Sequence, residues 1–395
     1  MARLRKVFPG GNTAFGFHSF YDHIIAPDAT RIFVVKGGPG VGKSTFMRKI
    51  GEEMLARGFD VEFHCCSSDN GSLDGVVFPA LGVALIDGTA PHVVDPRHPG
   101  AVDEIVHLGD HWNEAGLRAR KGEIMACNRE IARLFRRAYS YLAAARLFLE
   151  EVRSFYRETG AFNQGALDRL ALQLTHEIFE GRPRQTDRPR VRRLFATAIT
   201  PDGPVSHLES IVGHLARRVV LNGDDGTGKT TLVRRLMEAA LMRGFDVEAF
   251  HCALDPRRVE HLVIPALDLA VVNAVEPHFY QPKDGDRVVD TMTCVEPVIH
   301  EAYLAERITA RQMYRQCFNE AVTFIRRAKL VHDEMEGYYT PNMNFHDIEA
   351  RRQKVLARIL EMAAAVAKGG GRARPGVEQE PDPSGGARPL GRLAV

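Results

Sequence analysis

The sequence has no long hydrophobic run: no stretch approaches the roughly 18 apolar residues that a membrane helix requires. Its six cysteines include no Cys-x-x-Cys pair, and a chain of 395 residues can be stabilised by burial without disulfides. An excess of charge is also missing, because 52 Lys and Arg face 50 Asp and Glu, which gives no electrostatic argument for nucleic acid or an anionic membrane. No apolar core follows the basic residues of 1–10, so we predict no secretory signal and a reducing, cytoplasmic setting.

The most informative feature is an internal duplication. Two stretches occur twice, ARGFDVEFHC (56–65) as MRGFDVEAFHC (242–252), and LDGVVFPALGVALIDGTAPH (73–92) as VEHLVIPALDLAVVNAVEPH (259–278). The period of about 186 residues is far too long for a solenoid repeat. We therefore predict two versions of one folding unit, joined in the basic, proline-containing segment around 181–193.

Each unit has the pattern of an α/β fold. In the first, RIFVVK (31–36) is short and β-branched, which predicts a buried strand. A glycine-rich turn follows, and then 43–57 has the apolar spacing of a helix that ends at Gly58. Segments 59–65 and 83–86 predict two more strands. Alternating strands and helices favour a mostly parallel sheet that is covered on both faces.

A different pattern follows the third strand. Apolar or aromatic residues recur in steps of four and three through 124–156, which predicts a helix of roughly 35 residues and about 50 Å. The apolar spacing of 167–178 suits a return helix, so we expect a long helical hairpin at about 120–180. The second unit repeats the pattern at about 300–366. Each hairpin is expected to pack on the sheet or on its sister hairpin, and docking of an unknown protein partner is the alternative.

A glycine-rich turn links the first strand and first helix of each unit. GGPGVGKS (37–44) and GDDGTGKT (223–230) both match G-x-x-x-x-G-K-[ST], the pattern of phosphate-binding P-loops. In this pattern backbone N–H groups and a helix N-terminus meet the phosphates, the lysine reaches the β- and γ-phosphates, and the hydroxyl binds Mg²⁺. We therefore predict ATP and Mg²⁺ as ligands. The predicted nucleotide-binding residues are Gly37, Gly38, Pro39, Gly40, Val41, Gly42, Lys43, Ser44, Thr45, Gly223, Asp224, Asp225, Gly226, Thr227, Gly228, Lys229, Thr230 and Thr231.

These patterns together predict the fold class. The chain is expected to be α/β, with two tandem P-loop NTPase domains that have mostly parallel sheets and each carry a long helical hairpin. The first domain is predicted at 1–188 and the second at 189–367. The remainder, 368–395, is rich in Gly and Pro and almost without apolar periodicity, which predicts a disordered tail.

The two units differ where a magnesium-binding carboxylate is expected. VALID (83–87) is a hydrophobic strand that ends in Asp87, which suits binding of Mg²⁺ through a water; capping of the following turn is the alternative. The matching strand ends in neutral Asn273, and Asp224 and Asp225 place negative charge inside the second loop. We therefore expect the second site to be weaker or regulatory. The predicted catalytic residues are Lys43, Asp87 and Asp69, and the predicted metal-binding residues are Ser44, Asp87 and Thr230.

Other polar side chains follow the second and third strands. Asp69 and Asp255 are candidates for orienting a water or accepting a proton, although lone acids in polar loops are more often turn residues. A metal site is a further hypothesis for the histidines and cysteines at these strand ends, His64, Cys65, His92, His251, Cys252 and His278. Against it, a strand-end cysteine usually acts as a small buried apolar group.

Several segments resemble a bacterial family of tandem P-loop proteins described as ATPases. They are FPGGNTAFGFHSFYDHI, GGPGVGKSTFMRKI, HCCSSDNGSLDGVVFPAL, ALIDGTAPHVVDP and, near the end, YYTPNMNF. The resemblance extends to about residue 366 and implies a P-loop fold, with no catalytic residues beyond the loops. The chain departs from the family at Asn273, where an aspartate is usual, so the resemblance does not imply hydrolysis at the second loop.

The expected function is a Mg²⁺-dependent ATPase or ATP-driven switch, with hydrolysis mainly at the first loop. One alternative is a P-loop kinase that acts on a small molecule, since Gly88 follows Asp87 where most motor-type ATPases have a glutamate. Another is a nucleotide-binding scaffold with little turnover. The sequence contains no N-K-x-D motif for guanine and no LSGGQ signature, which disfavours a GTPase and an ABC-type ATPase.

Overall fold

The computed structural model describes residues 2–26, 28–89, 93–278, 280–296 and 301–368, without the side chains of residues 301 and 302. The predicted tail beyond Lys368 and the predicted ligand His92 lie outside the described residues. None of the described helices combines the length and the apolar composition that a membrane crossing requires.

The described residues form sixteen strands and eight α-helices. The strands are β1 (Leu4–Val7), β2 (Gly10–Thr13), β3 (Gly16–Ser19), β4 (Arg31–Lys36), β5 (Val61–Cys65), β6 (Leu73–Phe78), β7 (Val83–Asp87), β8 (Asp103–His107), β9 (Val191–Leu194), β10 (Thr197–Thr200), β11 (Gly203–Ser206), β12 (Arg217–Asn222), β13 (Val247–His251), β14 (Val259–Ile264), β15 (Leu269–Asn273) and β16 (Arg287–Asp290). The helices are α1 (Lys43–Ala56), α2 (Glu114–Ala119), α3 (Lys121–Glu158), α4 (Gln164–Phe179), α5 (Leu208–Val212), α6 (Lys229–Met242), α7 (Glu301–Tyr339) and α8 (Phe345–Lys368).

Two six-stranded sheets share one strand order. The first is β1-β5-β6-β7-β4-β8 and the second is β9-β13-β14-β15-β12-β16. Only β6 and β14 run antiparallel to their neighbours in these sheets, so the predicted α/β class with mostly parallel sheets is confirmed. The predicted strands 31–36, 59–65 and 83–86 correspond to β4, β5 and β7. Strand β6 is absent from the sequence prediction; all six of its residues are buried, so it lacks the polar–apolar alternation of a half-exposed strand.

The two longest helices pack against each other. Helices α3 and α7 have 38 and 39 residues and run antiparallel. At one end Ile124 of α3 clusters with Met335 of α7, and at the other Tyr156 of α3 lies against Arg307 of α7. The predicted packing between the sister helical elements is confirmed.

The shorter helices that follow them do not form the predicted hairpins. The principal partner of α4 is α6, and its apolar face is buried in the core of the second sheet through Leu167, Ala171, Leu174 and Ile178. In the same way α8 packs on α1 and enters the core of the first sheet. The hairpin prediction was wrong because apolar spacing identifies a buried face without identifying its partner.

The hydrophobic cores consequently do not follow the predicted boundary between 188 and 189. The first sheet is covered on one face by α1 and by α8 from the end of the chain, and the second is covered by α6 and by α4 from the first half. Each half of the sequence therefore donates one helix to the core of the other half.

The two units also contact each other directly, through residues that occupy equivalent positions in each unit. Phe8 and Phe195 exchange two backbone hydrogen bonds of 2.9 Å. Beside them, Arg5 and Arg192 each bind both Glu62 and Glu248. Burial opposes the charge on Arg192, but the two carboxylates outweigh burial and hold its pKa above the ordinary value. Charges buried at such a junction are stabilised by their mutual pairing.

Replacing Leu174 with Ala tests the exchange of helices. Leu174 has no solvent exposure in the core of the second sheet, so Leu174→Ala should lower the free energy of unfolding by about 2–5 kcal/mol. Leu172 on the same helix is 72% exposed, so Leu172→Ala should cost less than about 0.5 kcal/mol. Urea unfolding of both variants makes the comparison, and equal losses would contradict the burial of α4.

Candidate functional site

The first glycine-rich turn, loop 1 (37–44), connects the carboxyl end of β4 to the start of α1. Gly40 and Gly42 have φ angles of 64° and 85°, in the left-handed region that favours glycine. Lys43 is the first residue of α1, and its Nζ donates a hydrogen bond of 2.7 Å to the carbonyl oxygen of Gly38. The ammonium group is thereby held over the loop, beside backbone N–H groups that have no partner within the helix.

Two carboxylates accompany Lys43. Because β7 pairs with β4 in parallel, Asp87 lies at the same sheet edge as loop 1, with Oδ2 3.7 Å from Lys43 Nζ. Asp74 on β6 is 5% exposed, and burial, reinforced by the charge of Asp87, raises its pKa to about 7. Burial also raises the pKa of Asp87, against the opposing effect of Lys43. The first site therefore has two carboxyl groups for one lysine, of which Asp74 is buried and Asp87 is half-buried.

Ser44 completes an oxygen-rich group at loop 1. Its Oγ accepts a hydrogen bond of 2.9 Å from the backbone N–H of Leu73, which ties the start of α1 to β6. This neutral donor leaves the hydroxyl oxygen a second lone pair. A hydroxyl and a carboxylate are ligands that Mg²⁺ accepts in proteins, so the residues at loop 1 fit this ion.

The second turn, loop 2 (223–230), lies between β12 and α6, and its Gly226 and Gly228 repeat the left-handed backbone of Gly40 and Gly42. Gly226 and Gly228 have φ angles of 91° and 97°. Lys229 Nζ donates to the carbonyl oxygen of Asp224 at 2.6 Å. Lys229 is 6% exposed, and burial lowers its pKa to about 8 although Asp225 and Asp224 oppose the shift. Loop 2 therefore also holds a lysine at a helix N-terminus.

The acids of loop 2 are paired with cations from the long helices. Asp224 and Asp225 form ion pairs with three arginines, Arg153, Arg307 and Arg311. Arg311 Nη2 lies 3.2 Å from Asp224 and 3.0 Å from Asp225. The negative charge that the sequence places in this loop is thus compensated by arginines that are distant in the sequence.

The surroundings of Thr230 differ from those of Ser44. Thr230 Oγ1 accepts a hydrogen bond of 3.0 Å from Arg258 Nη2. The strand neighbour of β12 ends in neutral Asn273, where β7 ends in an aspartate. Glu260, on the strand that corresponds to β6, forms a 2.6 Å contact with His278 Nε2. The second site therefore has an arginine at the hydroxyl of its loop and a neutral amide where the first site has Asp87.

The end of α7 covers loop 1. The backbone N–H of Gly40 donates to Glu336 Oε1 at 3.2 Å, and Thr340 Oγ1 lies 3.4 Å from the carbonyl oxygen of Gly40. The ring of Tyr339 packs on Gly38 so closely that a Cβ at that position would lie 2.7 Å from it. The carboxylate of Glu336 thus accepts a hydrogen bond from one of the backbone N–H groups that the P-loop pattern assigns to phosphate.

The end of α3 and the start of α4 cover loop 2 in the corresponding manner. Tyr156 donates its hydroxyl to Asp224 at 3.0 Å. A Cβ at Gly228 would lie 2.8 Å from Leu167, and one at Gly226 would collide with the backbone of Arg153. Each loop is therefore enclosed by elements from the half of the sequence to which it does not belong.

Comparisons with protein-family models, with curated proteins and with solved structures find no match. The functional interpretation of the chain therefore rests on the geometry of the two loops.

Several predicted loop residues have structural roles. Val41 and Thr227 have no solvent exposure, and Thr227 Oγ1 donates a 2.8 Å hydrogen bond within loop 2. Pro39 is half-buried, and Thr45 is exposed in the first turn of α1. Thr231 is half-buried at the corresponding position of α6. The groups of these loops that the P-loop pattern assigns to phosphate are the backbone N–H groups and the two lysines.

Asp69 belongs to a turn. Its carboxylate accepts hydrogen bonds from the backbone of Gly71 at 3.1 Å and from Ser72 Oγ at 2.8 Å, and lies 3.6 Å from Lys329 of α7. Asp255 likewise pairs with the neighbouring Arg257. These contacts match the turn alternative and do not direct Asp69 to Lys43.

The strand-end histidines and cysteines do not converge as a metal site among the described residues. In the sheets Cys65 pairs with Leu73 whereas His251 pairs with Val259, so the two His-Cys pairs are one residue out of step. His251 uses both ring nitrogens, one 2.5 Å from the carbonyl oxygen of Pro256 and the other 3.2 Å from Arg193. A one-residue offset turns a side chain to the other face of a strand, so the matching letters do not mark matching positions.

Three residues of the site, Asp74, Arg258 and Glu336, are absent from the sequence predictions. Asp74 could have been found, because an acid stands at the same place in both copies of the duplication, as Asp74 and Glu260. The contact of Arg258 with Thr230 requires the tertiary structure, and that of Glu336 with loop 1 requires the exchange of helices, neither of which the sequence patterns specify.

Proposed function

We propose that the chain binds Mg²⁺-ATP at loop 1 and hydrolyses it, and that nucleotide binding there changes the position of α7. Loop 2 is proposed as a weaker, regulatory nucleotide site. The observation that carries the proposal is the group at loop 1: a lysine at a helix N-terminus, a hydroxyl, a buried acid and a half-buried acid at one edge of a mostly parallel sheet.

Charge explains the choice of ligand for loop 1. Lys43 and the free N–H groups at the start of α1 attract an anion. Asp74 and Asp87 leave an excess of negative charge beside them, which a bare triphosphate would worsen and a divalent cation would relieve. Ser44 and Asp87 would hold Mg²⁺, whose charge stabilises a phosphoryl group during its transfer. Because the site offers cationic groups for phosphate and acidic groups for a metal, the expected ligand is the metal–nucleotide complex.

Asp74 supports turnover rather than binding alone. A general base acts best when its pKa lies near the working pH, and burial raises the pKa of Asp74 to about 7. Burial also raises the pKa of its neighbour Asp87, and Lys43 opposes that effect. We therefore favour Asp74 over Asp69 as the acceptor of a proton from water.

Glu336 supports the assignment as a switch. Its carboxylate accepts the N–H of Gly40, so a phosphate oxygen would compete with it for the same donor. Glu336 lies on α7, which packs along α3, and α3 ends against loop 2. A ligand that displaces Glu336 has different affinities for the covered and uncovered states, which is the requirement for shifting a conformational equilibrium.

Lys43→Ala tests the identity of the principal site. Saturating Mg²⁺-ATP at about 100 times Kd should stabilise the wild-type chain by roughly 2.7 kcal/mol. The variant should lose most of this stabilisation because the γ-phosphate loses its main cation. Thermal unfolding with and without ATP measures the difference. An undiminished shift in the variant would overturn the assignment of loop 1.

Glu336→Ala tests the covering of loop 1. Removal of a competing charged hydrogen-bond partner should tighten ATP binding by about tenfold. The matched control is Glu334→Ala on the same helix, because Glu334 bonds the hydroxyl of Tyr338 and has no described contact with loop 1. Titration with a fluorescent ATP analogue gives both affinities. If both variants bound ATP more tightly by the same factor, the change would be due to net charge alone. That result would contradict the competition between Glu336 and phosphate for the Gly40 N–H.

Asp87→Asn and Lys229→Ala together test the inequality of the loops. Asp87→Asn gives the first site the neutral amide of the second, so turnover should fall on the order of 100-fold or more while the fold is kept. Lys229→Ala should leave measurable hydrolysis. Phosphate release under saturating Mg²⁺ and ATP checks both. Loss only in Lys229→Ala would reverse the roles of the loops, and release that needs an added small-molecule acceptor would identify a kinase.

A further inference from the structure

We infer that loop 2 binds a nucleoside polyphosphate without a divalent cation, and that the guanidinium of Arg258 occupies the place that Mg²⁺ would take. This inference rests on the proposed function, since it concerns the ligand of the second loop. It differs from that proposal in predicting a site that metal chelation leaves intact.

The strand register establishes which residues of the two sites correspond. Ser72 and Arg258 stand at equivalent positions, because each carbonyl oxygen accepts the backbone N–H of a cysteine six residues earlier, at Cys66 and Cys252. The next residues open β6 and β14. The equivalent of a serine beside loop 1 is therefore an arginine beside loop 2.

The arginine reaches the hydroxyl that the P-loop pattern assigns to the metal. Arg258 Nη2 donates to Thr230 Oγ1 at 3.0 Å, where Ser44 accepts only a neutral backbone N–H. A guanidinium at this oxygen repels a second cation. The hydroxyl of Thr230 is therefore engaged by a permanent positive charge.

The carboxylates around loop 2 are already paired. Asp224 and Asp225 bind arginines of the long helices, and Glu260 binds His278. Asn273 supplies a neutral amide at the end of β15. Among the described residues near Thr230, the oxygen ligands that Mg²⁺ prefers are thus either engaged or uncharged.

A buried cluster behind loop 2 does not supply a metal site in their place. Glu260, His261 and His278 have ligand atoms within 4.8 Å of one another. However, His261 Nδ1 accepts the backbone N–H of Asn273 at 3.1 Å, so in the neutral ring the proton is on Nε2. Glu260 and His278 already satisfy each other at 2.6 Å. An ion would have to displace a proton and a short hydrogen bond, so this cluster is a hydrogen-bonded core.

Arg258 retains donors for a phosphate. Its Nε–H is buried and has no hydrogen-bond partner among the described residues. The planar guanidinium binds phosphate oxygens through paired donors, which an ammonium or a hydrated ion cannot reproduce. Together with Lys229 it gives two fixed cations for a polyphosphate. A polyphosphate bound this way lacks the metal that assists phosphoryl transfer at loop 1.

The test isolates loop 2 in the full chain. Lys43→Ala leaves loop 2 as the binding site and Lys229→Ala leaves loop 1, and the double variant gives the background. A fluorescent ATP analogue is titrated into each in EDTA and in excess Mg²⁺. We expect the Lys43→Ala chain to bind with unchanged affinity in EDTA, and the Lys229→Ala chain to lose about tenfold or more without Mg²⁺.

A second substitution assigns the effect to Arg258. In the Lys43→Ala chain, Arg258→Ser introduces the residue found at the equivalent position 72 and should weaken binding in EDTA by about tenfold or more. Arg257→Ser is the matched control, because Arg257 pairs with Asp255 and its side chain is 62% exposed. Thermal unfolding without nucleotide confirms that each variant is folded.

The outcomes separate this inference from the proposed function. A Lys43→Ala chain that binds only with Mg²⁺, or that does not bind while Lys229→Ala does, overturns the metal-free site and leaves loop 1 as proposed. Equal losses in Arg258→Ser and Arg257→Ser overturn the role of Arg258. Binding no better than the double variant in both single-lysine chains would instead overturn the proposed function itself.

Discussion

The antiparallel contact between α3 and α7 is the constraint on which the rest of the structure depends. Small and branched apolar side chains fill its buried seam, among them Leu134, Ala138, Leu142, Ala321, Ile325 and Ala328. At each end an isolated β-bridge fixes the chain as it leaves a helix, Trp112 with Met343 and Phe162 with Val295. A helix of 38 residues spans about 57 Å, enough to carry the following segment from one sheet to the other. Helices α4 and α8 can therefore complete the cores of the opposite halves.

Much of this fold could be predicted from the sequence, up to the choice of packing partner. The four-and-three spacing located the long helices, and the duplication predicted that whatever one half contains the other repeats. The same spacing in α4 identified Leu167, Leu174 and Ile178 as a buried face, but an apolar stripe is satisfied equally by any apolar surface. The exchange depends on where α3 ends in space, and a local pattern carries no information about that distance.

The residues of the site likewise divide into those that local sequence patterns predict and those that depend on distant parts of the chain. The loops and Asp87 were accessible because each occupies a fixed place relative to one strand and one helix. The contact of Arg258 with Thr230 was not, because the duplication aligns Arg258 with Ser72 without showing which residue of loop 2 its side chain reaches. Glu336 was also inaccessible, because its contact with Gly40 joins residues that lie 296 positions apart.

One backbone carrying two different charge distributions explains why the duplication need not produce two equal sites. Asp74 and Asp87 beside loop 1 favour the binding of a cation, whereas on our inference Arg258 beside loop 2 takes the place of one. On the proposed function, the ligand of loop 1 turns over and releases the end of α7 in each cycle, while the ligand of loop 2 persists.

Because Tyr156 at the end of α3 bonds Asp224, a ligand retained at loop 2 would act on the same helix pair that covers loop 1. Linkage is reciprocal, so whatever preference loop 2 has for one position of the helices must appear as a change in the affinity of loop 1 for nucleotide. Because each loop is covered by helices of the other half, a ligand at loop 2 has a physical route by which to change the nucleotide concentration at which loop 1 responds.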